Sequence, residues 1–370
     1  MRDPMSASFS RDEGGGPLPI ILAAGLSTFL ISFILHHPDI PNSIYSDIVS
    51  FWSRPLAYGP LIPYVESSFE YPPISGLILY VSSIIGRNLN GYYLTFSLIL
   101  LSAYIATLIA TYLISRRRGV GWEYVLMFLV LSPSMYFYLV YNFDIVLTAF
   151  LMTSLLLLIK GRIVSSALTF SLAALSKLSN LILLPIILMH VERNKRLTYL
   201  LYALAPFAAV NLTLYLINPV VFSETYLYHV RWGLENAWFI VLFPSEGSWD
   251  TARLFSLFLA GYGLLKVYLI DDMELFRRVF MAFAVLLLSS YVFTPQMVIW
   301  LLPLLAVLGR VSPAYYVMEV ANVGIILTWF LSPEPTKWGS LPQYLAVLRA
   351  SALFYLLMEV YRGGASQPRA

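Results

Sequence analysis

Long apolar blocks parted by short polar ones give the chain its pattern. The first block, Leu18–Leu35, is long enough to cross a bilayer core of about 30 Å at about 1.5 Å of rise per helical residue, and His36-His37-Pro38-Asp39 ends it. The next, residues 74–85, is too short for a comfortable span and reads as a re-entrant or interfacial helix. Further runs predict spans at 92–114, 123–140, 143–159, 163–175, 178–190, 197–217, 251–270, 279–293, 296–308, 313–331 and 341–361, about twelve in all. This is the pattern of an all-α polytopic membrane protein, a single domain over residues 1–370. Two interruptions are large, 36–91 and 218–250, and the first carries the interfacial helix.

Charge sets the direction of threading, because loop Lys and Arg favour the cytoplasm. If 74–85 only dips into the interface, then Arg116, Arg117 and Arg118, Lys160 with Arg162, Arg193 with Lys195 and Arg196, Arg277 with Arg278, and Arg310 all share one side with both termini. If it spanned, they would be inverted. The two large loops are therefore expected on the non-cytoplasmic face, of a prokaryotic plasma membrane or of the endoplasmic reticulum. Composition agrees: the chain is 59% hydrophobic and 12% charged, where an ordinary soluble domain is about 25% charged. Membrane lipid is an expected partner and nucleic acid is not. The absence of cysteine excludes disulfides, a thiol nucleophile and a cysteine metal site. Ahead of Leu18 lies a polar, glycine-bearing leader with no convincing small-residue cleavage site, so no cleavable signal peptide is expected.

Candidate chemistry concentrates in the first loop, where Asp47, Glu66 and Glu70 alternate with Tyr45, Trp52, Tyr58, Tyr64, Phe69 and Tyr71. Aromatic rings with polar tips favour the headgroup zone, and carboxylates there can act on a molecule that is part lipid and part polar. Asp144 starts the span after Tyr141-Asn142-Phe143, and Lys177 interrupts two short spans of about 20 Å each, either in a thinned membrane or at the floor of an outward-open cavity. His229 and Arg231 follow in the second loop, and Thr294-Pro295-Gln296 marks another outer turn. Sugar transfer from a lipid phosphate needs a carboxylate to take the acceptor proton and cations for the departing phosphate, and Lys177, His229 and Arg231 suit the latter role.

Asp47, Glu70-Tyr71-Pro72-Pro73, Asn142-Phe143-Asp144, Ser176-Lys177 ahead of Leu183-Leu184-Pro185, and Pro295-Gln296 ahead of Trp300-Leu301-Leu302-Pro303 resemble the integral-membrane GT-C glycosyltransferases. The resemblance extends over roughly residues 18–310 and is greatest to the polyprenol-phosphate-mannose-dependent mannosyltransferases, including the enzyme type that adds the first mannose of GPI anchors. It implies a bundle with the catalytic cleft in loops 36–91 and 218–250, a polyprenyl-phosphate sugar donor, a glycan or glycolipid acceptor, and inverting displacement with Asp47 as base. Glu70, Tyr71, Asp144 and Gln296 stand in the matching motifs and are expected at the substrate. The GPI type pairs acids as Asp-x-Asp where this chain reads Tyr45-Ser46-Asp47-Ile48-Val49, so neither a metal nor another cofactor is expected.

Each residue also has a plainer reading. Asp47 suits a solvated turn, Asp144 an N-cap, Glu70 a helix start, and His229 with Arg231 ordinary headgroup contacts. Lys177 suits snorkelling, and Tyr71-Pro72-Pro73 a loop of fixed geometry. The rival function is a transporter or flippase of lipid-linked sugars, which needs access from both sides; no repeat of one half in the other is evident.

Overall fold

The computed structural model describes residues 16–363. The polar leader ahead of Gly16 and the tail beyond Gly363 lie outside the described residues. Those described are helical apart from turns and two isolated bridges, Pro63 with Ser67 and Glu235 with Val292. In order, α1 (Leu18–Leu35) leads to the first large loop, which holds α2 (Asp47–Phe51), α3 (Pro55–Tyr58) and α4 (Pro73–Gly86). Then come α5 (Leu89–Arg117), α6 (Glu123–Val125), a π-helical turn at Leu126–Val130, α7 (Pro133–Tyr138), α8 (Asp144–Ile159) and α9 (Ile163–Ser176). A 3-10 segment, Leu178–Leu183, enters α10 (Leu184–His190), and α11 (Arg196–Ile217) and α12 (Pro219–Val230) follow. The rest is α13 (Trp249–Tyr268), α14 (Leu275–Ser289), a 3-10 segment Pro295–Trp300, α15 (Leu302–Leu308), α16 (Pro313–Trp329) and α17 (Leu341–Arg362).

Proline in the first turn starts α1, α4, α7, α12, α16 and α17, where its missing N–H costs nothing and its fixed φ suits the helix. Among the described residues four helices, α1, α5, α17 and Arg193–Ile217 around α11, are long and apolar enough to cross a membrane by length and composition. Leu254, Leu257 and Phe258 on α13 and Leu197, Leu212 and Leu216 on α11 are exposed, the outward apolar surface that an integral membrane protein presents to lipid.

Three expected spans are interrupted. The run 123–140 breaks at Ser132, whose extended backbone precedes Pro133, a residue that cannot continue the helix above it. The polar groups freed there are met by Glu319 of α16, whose Oε2 accepts from Ser132 Oγ (2.8 Å) and from the Ser134 backbone N–H (2.7 Å). The runs 178–190 and 296–308 likewise begin as 3-10 turns and become α-helical only around Pro185 and Pro303. The short block 74–85 forms α4, which turns back onto α5 through Arg87 in the left-handed region. Gly86 permits this, since a Cβ there would run into the Tyr92 backbone.

The bundle has two chemically different ends. At one, Arg118 donates to the Val307 carbonyl (2.9 Å) and pairs with Glu274, while Arg277 and Arg310 both reach the Gly363 carbonyl (3.0 and 3.2 Å). Reversals of the chain carry Asp47, Asp144 and Lys177 to the other. There Asn218 ties the two large loops together: it caps α12 through Val221 N–H (3.3 Å) and donates to the Val65 carbonyl (2.9 Å).

Candidate active site

A cavity of about 540 Å3 opens at that second end. Both large loops line it, as do Lys177, the turn 294–297 with Trp300, and the last turn of α16. Lys177 is thus placed at a cavity wall.

Asp47 is the first residue of α2, positioned by Ser46, whose Oγ accepts from Val49 N–H (3.3 Å) as N-cap. The half-buried carboxylate is held at both oxygens: Tyr45 O–H donates to Oδ1 (3.0 Å) and Asn142 Nδ2 to Oδ2 (2.6 Å). Burial pushes its pKa up to about 6, against the lowering effect of the Tyr45 and Asn142 hydrogen bonds. The Asp144 charge raises it further and Lys177 opposes that. Asn142 also donates to Tyr71 Oη (2.9 Å), so one amide sets the base and a neighbouring ring together.

Asp144 begins α8, yet it does not cap the helix with its side chain. Its Oδ1 accepts from Lys177 Nζ (2.6 Å) and from Trp300 Nε1 (2.7 Å), and Oδ2 has no protein partner. The ammonium lies 5.7 Å from the Tyr71 ring and 5.1 Å from the Trp300 ring. An ammonium carries three N–H groups, so pairing with Asp144 leaves donors for a ligand.

The structure separates His229 from Arg231. His229 lines the cavity mouth with its ring stacked on Trp232 (5.8 Å, 18°) and edge-on to Tyr71 (5.8 Å). Desolvation on its packed side, with the Lys177 charge, lowers its pKa, which makes the ring less readily a cation. Arg231 is exposed, pairs with Glu224 (3.1 Å), and is absent from the cavity lining. Residues two apart at a helix end point to different sides, which is why the expected pair does not converge.

Arg54 is a further cation at the cavity. It lines the cavity, and its Nη1 reaches both oxygens of buried Glu70 (2.7 and 2.6 Å). Glu70 is therefore occupied in holding Arg54. Gln296 lines the cavity at 5% exposure with its Oε1 unpartnered, and Tyr71 lies between Lys177 and His229. Glu66 accepts from the Ile62 N–H (2.7 Å) and is not part of the lining. Among the described residues no three His, Asp or Glu side chains gather as metal ligands. Asn142, Arg54 and Trp300 went unassigned in the sequence, although Asn142 and Trp300 stand inside motifs quoted there.

A fully buried Arg349 on α17 fixes the far wall. It donates to Asn322 Oδ1 (2.8 Å), to the Asn236 carbonyl (2.6 Å) and to the Phe293 carbonyl. Asn322 in turn donates to the Pro295 carbonyl (3.0 Å), directly before Gln296.

Residues 39–193, which hold Asp47, Glu70, Tyr71, Asp144 and Lys177, match the family model described as alpha-(1->6)-mannopyranosyltransferase, N-terminal domain. Over 93% of this chain and 76% of the other, the structure superposes on ArnT from Cupriavidus metallidurans, solved bound to undecaprenyl phosphate, with a TM-score of 0.50 at 14% identity. The fold is of the GT-C type. Curated proteins give no match. The family model and the GT-C fold together support a membrane glycosyltransferase.

Proposed function

We propose that the protein transfers a hexose, mannose by the family model, from a polyprenyl phosphate to a hydroxyl of a glycan or glycolipid acceptor. The observation that carries this reading is a carboxylate of raised pKa, fixed at both oxygens, in one cavity with a buried lysine. An acceptor hydroxyl has a pKa far above neutral, so attack at the anomeric carbon needs its proton taken as the new C–O bond forms; Asp47 takes it. The bond from the anomeric carbon to the phosphate oxygen breaks on the opposite face, which inverts the configuration. Lys177 and Arg54 receive the negative charge that develops on the lipid phosphate, with His229 as a hydrogen-bond donor. A phosphate of this kind leaves without a general acid, so a second, glycosidase-like carboxylate is not demanded. The occupant of the ArnT structure supports a polyprenyl phosphate as donor class.

In this reading the bundle crosses the membrane about twelve times, with α2, α3, α4 and α12 at the cavity end. Gathering of Arg118, Arg277 and Arg310 at the opposite end supports a cavity on the non-cytoplasmic face. The test is transfer of radiolabelled mannose from dolichyl- or undecaprenyl-phosphate-mannose to lipid acceptors in membranes containing the chain. Transfer with inversion is expected. A chain that moves lipid-linked sugar across the bilayer without transferring it is a carrier, and the proposal fails.

A further inference from the structure

The cavity lining carries a carboxylate that the mechanism above leaves unused. Glu235 lines the cavity, half-buried, and its carboxylate meets only neutral donors: Trp232 Nε1 to Oε2 (2.8 Å) and Asn236 Nδ2 to Oε1 (3.4 Å). Its backbone is clamped at both groups, with Glu235 N–H donating to the Tyr291 carbonyl (3.1 Å) and Phe293 N–H to the Glu235 carbonyl (3.0 Å). Asn236 follows in the left-handed region (φ 50°), and buried Arg349 holds its carbonyl. So a charged side chain with no exposure is committed to fixing the corner that aims Glu235. Such a corner is built for a position, and a carboxylate kept in it without a cation is costly unless a ligand completes it.

Contacts group the lining into two parts: Lys177 beside Tyr71, with Arg54 on Glu70, and Tyr45 with its ring 5.0 Å from Phe330 and 6.1 Å from Tyr141. Trp232 bridges them, stacked on His229 and bonded to Glu235. Tyr141 lies in the field of both Asp47 and Glu235. Asp47 stands between the parts, taking one hydrogen bond from Tyr45 and the other from Asn142, which also holds Tyr71 beside Lys177. With the donor phosphate at the cations, the acceptor falls on the acidic, aromatic side.

We infer that Glu235 is the carboxylate that orients the acceptor, binding hydroxyl groups of an uncharged hexose unit while Asp47 takes the proton of the attacking one. This rests on the reading of the protein as a lipid-phosphate-dependent glycosyltransferase. Burial raises the Glu235 pKa to about 7, so the carboxyl accepts hydrogen bonds from hydroxyls when ionised and donates one when protonated, and a pyranose offers a C–H face to the surrounding rings. Asn236 Oδ1 and Gln296 Oε1, buried without protein partners on the same wall, add further acceptors for hydroxyl groups.

The experiment uses the full-length protein in nanodiscs, a polyprenyl-phosphate-mannose donor, and octyl α-D-mannopyranoside with its monodeoxy analogues as acceptors. Wild type should lose about 10- to 100-fold in kcat/KM with one deoxy analogue, as expected for a hydrogen bond to a charged group. Glu235→Gln should raise the acceptor KM about tenfold or more, leave the donor KM within about twofold, and flatten the preference between that analogue and the parent. Glu235→Asp, which keeps the carboxyl but draws it back by one methylene, should shift the acceptor KM in the same direction by less and stands in if Glu235→Gln does not fold. An unchanged acceptor KM in the variants, retained deoxy discrimination, or an effect on the donor KM instead would overturn the assignment. A wild-type protein that transfers no sugar to any acceptor overturns the underlying glycosyltransferase reading, and this one with it.

Discussion

Replacing Lys177 by methionine separates what the lysine does for the fold from what it does for the donor. Lys177 and Asp144 form a buried pair at 2.6 Å, and among the described residues Trp300 is the other donor to the Asp144 side chain. Removing the ammonium leaves an uncompensated buried carboxylate, a change that costs about 3–5 kcal/mol, whereas replacing both partners by neutral groups is often close to neutral. Lys177→Met should therefore melt well below wild type in detergent. Lys177→Met with Asp144→Asn should recover most of that loss. Stability regained is not activity regained: the double variant still lacks the cation that meets the phosphate, worth about 1.5–3 kcal/mol for a charged hydrogen bond, or about 10- to 100-fold in donor affinity. The assays are thermal unfolding of the purified protein and initial transfer rates over a range of donor concentrations. A double variant with wild-type donor KM and rate would refute the phosphate role, and a single variant as stable as wild type would refute the argument from the buried pair.

Other expectations follow from the same geometry. With Asp47 titrating at about 6, kcat/KM should fall as pH drops through that value, because only the carboxylate can take a proton. Asn142→Ala removes a hydrogen bond that favours the charged form, so the acid limb should move to higher pH by about one unit; an unmoved limb assigns it to another group. Arg54→Gln should raise the donor KM about tenfold, while Arg231→Ala, which breaks only an exposed pair, should leave it unchanged; the reverse result would return the phosphate site to Arg231. In this cysteine-free chain, Ser53→Cys should be labelled from the non-cytoplasmic side and Asn194→Cys only after permeabilisation, both positions being exposed, and inverted labelling would sink the topology.

Apolar blocks and prolines made most helices legible, since proline at a first turn marks a start whatever packs around it. What escaped was the interior of the broken spans. Ser132-Pro133 signals a kink locally, but the carboxylate that meets its freed groups lies on α16, more than a hundred residues away, and only the fold places it there. Asp144 and Lys177 stood out as charged residues at the ends of apolar runs, where a charge is costly and therefore informative, and Asp47 as a carboxylate among aromatic residues in the first large loop. Arg231 was expected at the phosphate and Arg54 was not singled out, because nothing local marks which arginine turns toward the cavity; the fold sets Arg54 on Glu70 in the lining and Arg231 on exposed Glu224. Glu235 was one polar residue among several in a long loop, and its importance comes from the bridge to Val292 and the clamp of Arg349.

The central claim is that Asp47 is the base, and single-turnover transfer from a radiolabelled polyprenyl-phosphate-mannose donor by Asp47→Asn tests it most directly. The amide keeps the size of the side chain and its contact with Tyr45, so the variant should fold, insert and bind donor as wild type does, while the transfer rate drops by about 10²–10⁴-fold. Near-normal turnover by Asp47→Asn, with Glu66→Gln or Glu70→Gln inactive in its place, would contradict the account and move the base to that glutamate.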